Sequence, residues 1–197
     1  EGFTAGAIDW PAPSRMNEGP LTIYAYEGTV FLPVTITPPA TLSPGQQIPL
    51  KLRVDVLVCH DICIPESADL ELSLPVLSSP AQPTEHAALF AAQNESRVHR
   101  VETPGSFAID DGQTATLSIP LQFLDGKDNK PLSASGIRSV QFFPRELNLF
   151  SYSAEQSFNV KAKNLIVTLQ RAENSELPER ISGIMTIDSS RAYDVSF

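Results

Sequence analysis

The chain has 197 residues, 42% hydrophobic and 19% charged, which is enough apolar material for one large domain or two small ones and argues against wholesale disorder. A formal net charge of −9, with no basic run, excludes a nucleic-acid footprint, which needs clustered Lys and Arg. Seventeen prolines against ten glycines favour short strands and stiff loops over long helices.

Positions 1–80 carry nine acidic and three basic residues, so the first part is the more acidic one, and it also holds both cysteines. No apolar run approaches the roughly 20 residues of a membrane-spanning helix. The chain opens at Glu1-Gly2-Phe3 with neither an initiator methionine nor a signal-peptide pattern, and so reads as a processed piece.

Residues 1–20, centred on Trp10-Pro11-Ala12-Pro13, are rich in Pro, Gly and Ser and predict an extended, loop-like start. Strand-like runs follow at 21–26, 29–37 and 48–58, each bounded by Gly or Pro. Ser43-Pro44-Gly45-Gln46 predicts a hairpin-like reversal between the last two. From Leu50 to Val56 apolar and charged residues alternate, and then Val56-Leu57-Val58 is wholly apolar. This pattern predicts a strand with one wet face at its start and burial on both faces just before Cys59. A further strand is expected from Ala68 to Leu74.

Residues 84–92 form the one convincing helical stretch, with Thr84 placed as N-cap. Strand patterns then recur at 113–123, 137–143, 156–160, 165–170, 181–187 and 192–197, with turn signals at Asp111-Gly112, Asp125-Gly126 and Lys163-Asn164. Six strands in about a hundred residues suit a β-sandwich of immunoglobulin-like size. The expected architecture is all-β, with two immunoglobulin-like sandwiches. The first spans 1–78 and is incomplete, because four or five strands fall short of the roughly seven of such a fold. A linker with a short helix occupies 79–96, and the second domain spans 97–197.

Cys59-His60-Asp61-Ile62-Cys63 is the chemically unusual segment. On an extended strand the two cysteine Cα atoms would stand about 13 Å apart, whereas a disulfide needs about 5.5 Å. A bridge therefore requires the strand to end at Cys59 and the chain to turn through His60-Asp61-Ile62; one helical turn would serve as well. Closing a loop of about five residues stabilises a fold by only about 2 kcal/mol in the chain-entropy estimate, which tilts the reading toward redox turnover. A protonated His60 would favour a thiolate, and the Asp61 carboxylate would oppose it or relay protons. Cys59, His60 and Cys63 also make a soft set suited to copper(I), while a structural zinc site lacks its fourth ligand. Spacing alone leaves redox, structural and metal roles open.

Trp10-Pro11-Ala12-Pro13-Ser14-Arg15, Tyr26-Glu27-Gly28 leading to Leu32-Pro33-Val34, and Leu57-Val58-Cys59-His60-Asp61-Ile62-Cys63-Ile64-Pro65-Glu66 occur in that order. Over about residues 1–75 this set resembles the N-terminal periplasmic region of the DsbD/ScsB family of transmembrane thiol-disulfide reductases. Its nearer branch is ScsB (suppressor of copper sensitivity). Residues 97–197 resemble the second β-domain of ScsB-type proteins in pattern only.

The resemblance implies a redox domain in which Cys59 and Cys63 take electrons from the protein's own transmembrane domain and pass them to thioredoxin-fold proteins in the periplasm. Neither a cofactor nor a resident metal is expected. It implies a protein-disulfide reductase activity within a larger inner-membrane protein. It places Tyr24 and Tyr26 as candidates for an aromatic cap over the cysteines, and it favours Cys63 for the interprotein bond. DsbD itself spaces its cysteines more widely, so its site geometry is not carried over. The competing readings are a copper(I)-binding module and a non-catalytic β-sandwich interaction domain.

Overall fold

The structure, a computed structural model, describes every residue except 1, 20, 61, 81, 96, 103, 104, 125–131 and 177, together with all side chains but those of 18 and 93–95 among the remainder. The expected turn at Asp125-Gly126 and the candidate modulator Asp61 thus lie outside the described residues. The chain is nearly all β, as its alternating and proline-bounded runs predict.

In order come β1 (Thr4–Ile8), β2 (Ser14–Glu18), β3 (Leu21–Ala25), β4 (Val34–Thr37), β5 (Gln47–Cys59) and β6 (Cys63–Pro75). The helix α1 (Ala87–Glu95) follows, with Thr84 Oγ1 accepting the His86 N–H at 3.3 Å near its start. Then come β7 (His99–Arg100), β8 (Ser106–Ile109), β9 (Thr114–Pro120), β10 (Val140–Pro144), β11 (Ser157–Lys161), β12 (Asn164–Gln170), β13 (Ser182–Ile187) and β14 (Arg191–Ser196). Two compact units result: Glu1–Ile8 with Val34–Leu89, and Asp9–Pro33 with Phe90–Phe197. Residues 9–33, expected to belong with the cysteines, are grouped with the C-terminal part.

The first unit holds two antiparallel pairs, β1–β4 and β5–β6. The Ser43–Gln46 turn closes, with the Gln46 N–H donating to the Ser43 carbonyl at 3.3 Å. The hairpin expected across it does not form, because β4 pairs with β1 and β5 pairs with β6. β6 also starts at Cys63, five residues before the expected strand, and runs straight through Pro65.

The reason is register. Val76 donates its N–H to the Gln46 carbonyl at one end of the β5–β6 ladder, and His60 donates to the Ile62 carbonyl at the other. Even-numbered β5 positions are therefore the hydrogen-bonded ones, and odd positions are the narrow, non-bonded ones. Pro49, Pro65 and Pro75 all fall in odd-position pairs, where the backbone nitrogen points away from the partner strand. Their missing N–H groups cost the ladder nothing.

The same parity sorts the faces. Ile48, Leu50, Leu52, Val54, Val56 and Val58 share one face with Leu74, Leu72, Leu70, Ala68, Glu66 and Ile64. Lys51–Glu71 and Arg53–Asp69 pair across the other, at 3.4 and 3.8 Å. Burial on both faces before Cys59 is not observed: Val56, Leu57 and Val58 are 45%, 64% and 55% exposed. The unbroken apolar run arises because Leu57 stands on the otherwise charged face, and no described residue of this unit is buried.

The second unit contains two four-stranded sheets, ordered β10-β13-β14-β7 and β11-β12-β9-β8. Both feed one core: Leu117, Ile119, Leu165 and Val167 from one sheet, and Phe142, Met185, Tyr193 and Val195 from the other. This is a β-sandwich. The β11–β12 and β13–β14 hairpins turn through Ala162-Lys163 and Asp188-Ser189, all four at positive φ as a type I′ turn requires. The first of these turns sits one residue earlier than the Lys163-Asn164 signal. Asp188 accepts the backbone N–H groups of Arg138 and Ser139 at 2.8 and 3.0 Å and pairs with Arg191 at 2.6 Å.

Strands β1, β2, β7 and β8, where loop was expected, are short, and none of their described residues is buried. A hydrophobic pattern is therefore a weak guide to them.

Candidate functional site

Cys59 and Cys63 are the final in-register pair of the β5–β6 ladder, and a disulfide joins them with the Cα atoms 4.0 Å apart. With the His60–Ile62 hydrogen bond beside it, this pair occupies a narrow, non-hydrogen-bonded position, where opposed Cα atoms approach most closely. Of the two geometries that the spacing allows, the chain takes the tight hairpin rather than the helical turn. Both cysteines are exposed.

The bridge lies on the odd-numbered face, with the Leu57–Pro65 pair next to it and Asp55–Ser67 beyond. His60 opens the turn and is exposed. The bond closes a loop whose ends the ladder already holds together. Twelve further in-register pairs hold the ribbon besides this one.

Tyr24 and Tyr26, the cap candidates, belong to the second unit, and their described contacts are made there. Tyr24 packs edge-on against Phe143 and Tyr152, with ring centroids 4.9 Å away in each case. Burial pushes its hydroxyl above the ordinary value of 10.0, opposed by a hydrogen bond with Gln156 and by the Arg15 charge. Tyr26 stacks on Trp10 at 6.4 Å and donates its hydroxyl to the Pro11 carbonyl at 3.0 Å; burial raises its pKa as well.

Among the described residues no three or more His, Cys, Asp or Glu side chains converge where a metal ion would sit. No described helix is long and apolar enough to cross a membrane. Leu57, read in the sequence as part of the apolar run before Cys59, and Pro65, part of the quoted motif, are the immediate neighbours of the disulfide on its own face.

No curated protein and no solved structure matches the chain. Residues 1–75, which include the whole β5–β6 hairpin and its disulfide, match the family model described as thiol:disulfide interchange protein DsbD, N-terminal.

Proposed function

We propose that the chain is one station of a periplasmic thiol–disulfide relay, taking electrons from a membrane-embedded cysteine pair of its own full-length protein and passing them to soluble thioredoxin-fold partners. We place it nearest the ScsB branch of the family, among proteins associated with copper tolerance, on its C-x3-C spacing and the Trp10–Arg15 and Leu57–Glu66 motifs. The observation that carries the reading is the exposed Cys59–Cys63 disulfide at a hairpin tip, within the region that matches an interchange-protein family.

The chemistry needs only the two cysteines. A thiolate of the electron donor attacks one sulfur of the bridge, the Cys59–Cys63 bond breaks, and a mixed disulfide forms while the other cysteine leaves as thiolate. The donor's second thiolate then attacks the mixed disulfide. The donor leaves oxidised to a disulfide, and Cys59 and Cys63 are left reduced, having gained two electrons and, on protonation, two protons. Passing the pair to an oxidised acceptor runs the same two displacements in reverse, with Cys63 as the cysteine that bonds the acceptor. His60 and Asp61, beside the pair in sequence, tune its thiolate population.

Single substitutions test this. Cys59→Ser, with Cys63 left as the lone nucleophile, should accumulate a mixed disulfide with an oxidised thioredoxin-fold protein, visible as a reducible shift on a gel. Failure of both single-cysteine variants to trap any such partner contradicts the relay.

A further inference from the structure

Among the described strands of the second unit, the two sheets end on β10 and β7, and on β11 and β8. The Gln156 side chain closes the β10 edge by bonding the N–H and the carbonyl of Phe142, and β7 is two residues long. β8 carries no charged residue to fix a register. The β11 edge is different. Its two-residue turn at Ala162-Lys163 makes Lys161–Asn164 a hydrogen-bonded pair of the β11–β12 ladder. The same parity holds at the far end of β12, where the Ser151 N–H donates to the Gln170 carbonyl at 2.9 Å. Ser157, Asn159 and Lys161 therefore bond to β12. Phe158 and Val160 turn their N–H and C=O groups to the open side, with their side chains half-buried against the core.

We propose that β11 is a self-pairing edge, joining two copies of this chain antiparallel about a two-fold axis at Asn159. This axis brings the whole of Ser157–Lys161 into the pairing. Phe158 of one copy then lies opposite Val160 of the other and exchanges both backbone bonds with it, and symmetry repeats the pair. Ser157 lies opposite Lys161. Glu155, Ser157, Asn159 and Lys161 are all exposed and share one parity, so each Lys161 stands diagonal to the other copy's Glu155, within reach of a long side chain. Among the described residues neither Lys161 nor Glu155 has an ion-pair partner in its own copy. A lysine on an edge strand ordinarily repels a second strand. Here the register gives it an opposite charge and sets no like charges face to face, which is why the occupant that fits this edge is a second copy of the same strand.

Sedimentation equilibrium of the oxidised chain over a concentration series tests this, alongside Lys161→Glu, Glu155→Lys and the two changes combined. Both side chains are exposed, so neither change removes core packing. The wild-type chain should form a dimer. Each single reversal turns two symmetry-related attractive pairs into repulsive ones and should weaken the dimer roughly tenfold. The combined variant should regain wild-type association. A wild-type chain that stays monomeric up to about 1 mM, the weak end of specific association, overturns the proposal. Dimerisation that neither reversal weakens also overturns it, because the contact then uses another surface. Weakening by both reversals that the combination does not restore overturns the pairing about Asn159. The thiol–disulfide reading stands or falls independently, since Cys59 and Cys63 take no part in this edge.

Discussion

Arg15 and Tyr24 stand opposite one another in the β2–β3 ladder, and both reach Tyr152. Arg15 donates from Nε to the Tyr152 carbonyl at 3.1 Å and from a terminal guanidinium nitrogen to the Ser153 carbonyl at 2.9 Å. Tyr24 lays its ring edge-on against the rings of Tyr152 and Phe143. One cross-strand pair thus fastens the β2–β3 hairpin to the segment that follows β10, which explains why residues 9–33 are grouped with the C-terminal sandwich. Tyr24→Ala should destabilise that unit by about 1–2 kcal/mol, a half-buried aromatic with two ring partners being worth less than a fully buried one. Denaturant unfolding measures it.

The Tyr24 hydroxyl gives the same anchor a pH signature. Its folded pKa is raised above 10.0, chiefly by burial. Its contribution to stability is therefore complete below pH 10.0 and is lost as pH rises through the folded value, because the unfolded chain ionises first. Melting temperatures measured from pH 9 upward should fall less steeply for Tyr24→Phe than for the wild-type chain.

At the acid end the corresponding group is Asp188. Hydrogen bonds from the Arg138 and Ser139 backbone, together with the Arg191 charge, hold its carboxyl below the ordinary 3.8. Stability from this group is complete above pH 3.8 and disappears as pH falls through the lower folded value. Asp188→Asn should lower the melting temperature at pH 7 and flatten its acid dependence below pH 4.

Gln156 completes the edge of β10, with Oε1 accepting the Phe142 N–H at 2.7 Å and Nε2 donating to the Phe142 carbonyl at 2.9 Å. A side-chain amide here substitutes for a neighbouring strand. Gln156→Leu leaves both main-chain groups without that partner and should cost about 1–3 kcal/mol. It should also increase concentration-dependent self-association through the opened edge, read by light scattering.

The larger β-runs were legible because their side chains alternate between a core and a wet face: Thr114–Pro120 alternates buried and half-buried positions along its length, and Asn164–Gln170 does the same until the exposed Gln170. The same rule misled at Val56-Leu57-Val58. An apolar run normally means burial on both faces, but here two residues belong to one face and Leu57 to the other, and all three are exposed. Pro65 lies inside β6 without breaking the ladder. Its odd-numbered register position makes it harmless, and register depends on pairing that no local pattern reveals.

The turn between the cysteines followed from their spacing alone, since an extended chain would hold them too far apart. That Arg15 and Tyr24 act as an anchor was not legible, because the carbonyls Arg15 reaches lie 137 and 138 residues away in sequence. The match over residues 1–75 agrees with the motifs that suggested the family.

If the chain is a relay station, Cys59 and Cys63 turn over rather than brace the fold. Equilibrating the chain in glutathione buffers of defined potential, trapping free thiols by alkylation and counting them by mass gives the most direct answer. The account predicts a reversible two-electron transition within the range of thioredoxin-like proteins, about −120 to −270 mV, with the β-rich circular dichroism unchanged between the two states. A pair that stays oxidised well below −300 mV, the territory of structural disulfides, or that unfolds the chain on reduction, would contradict it.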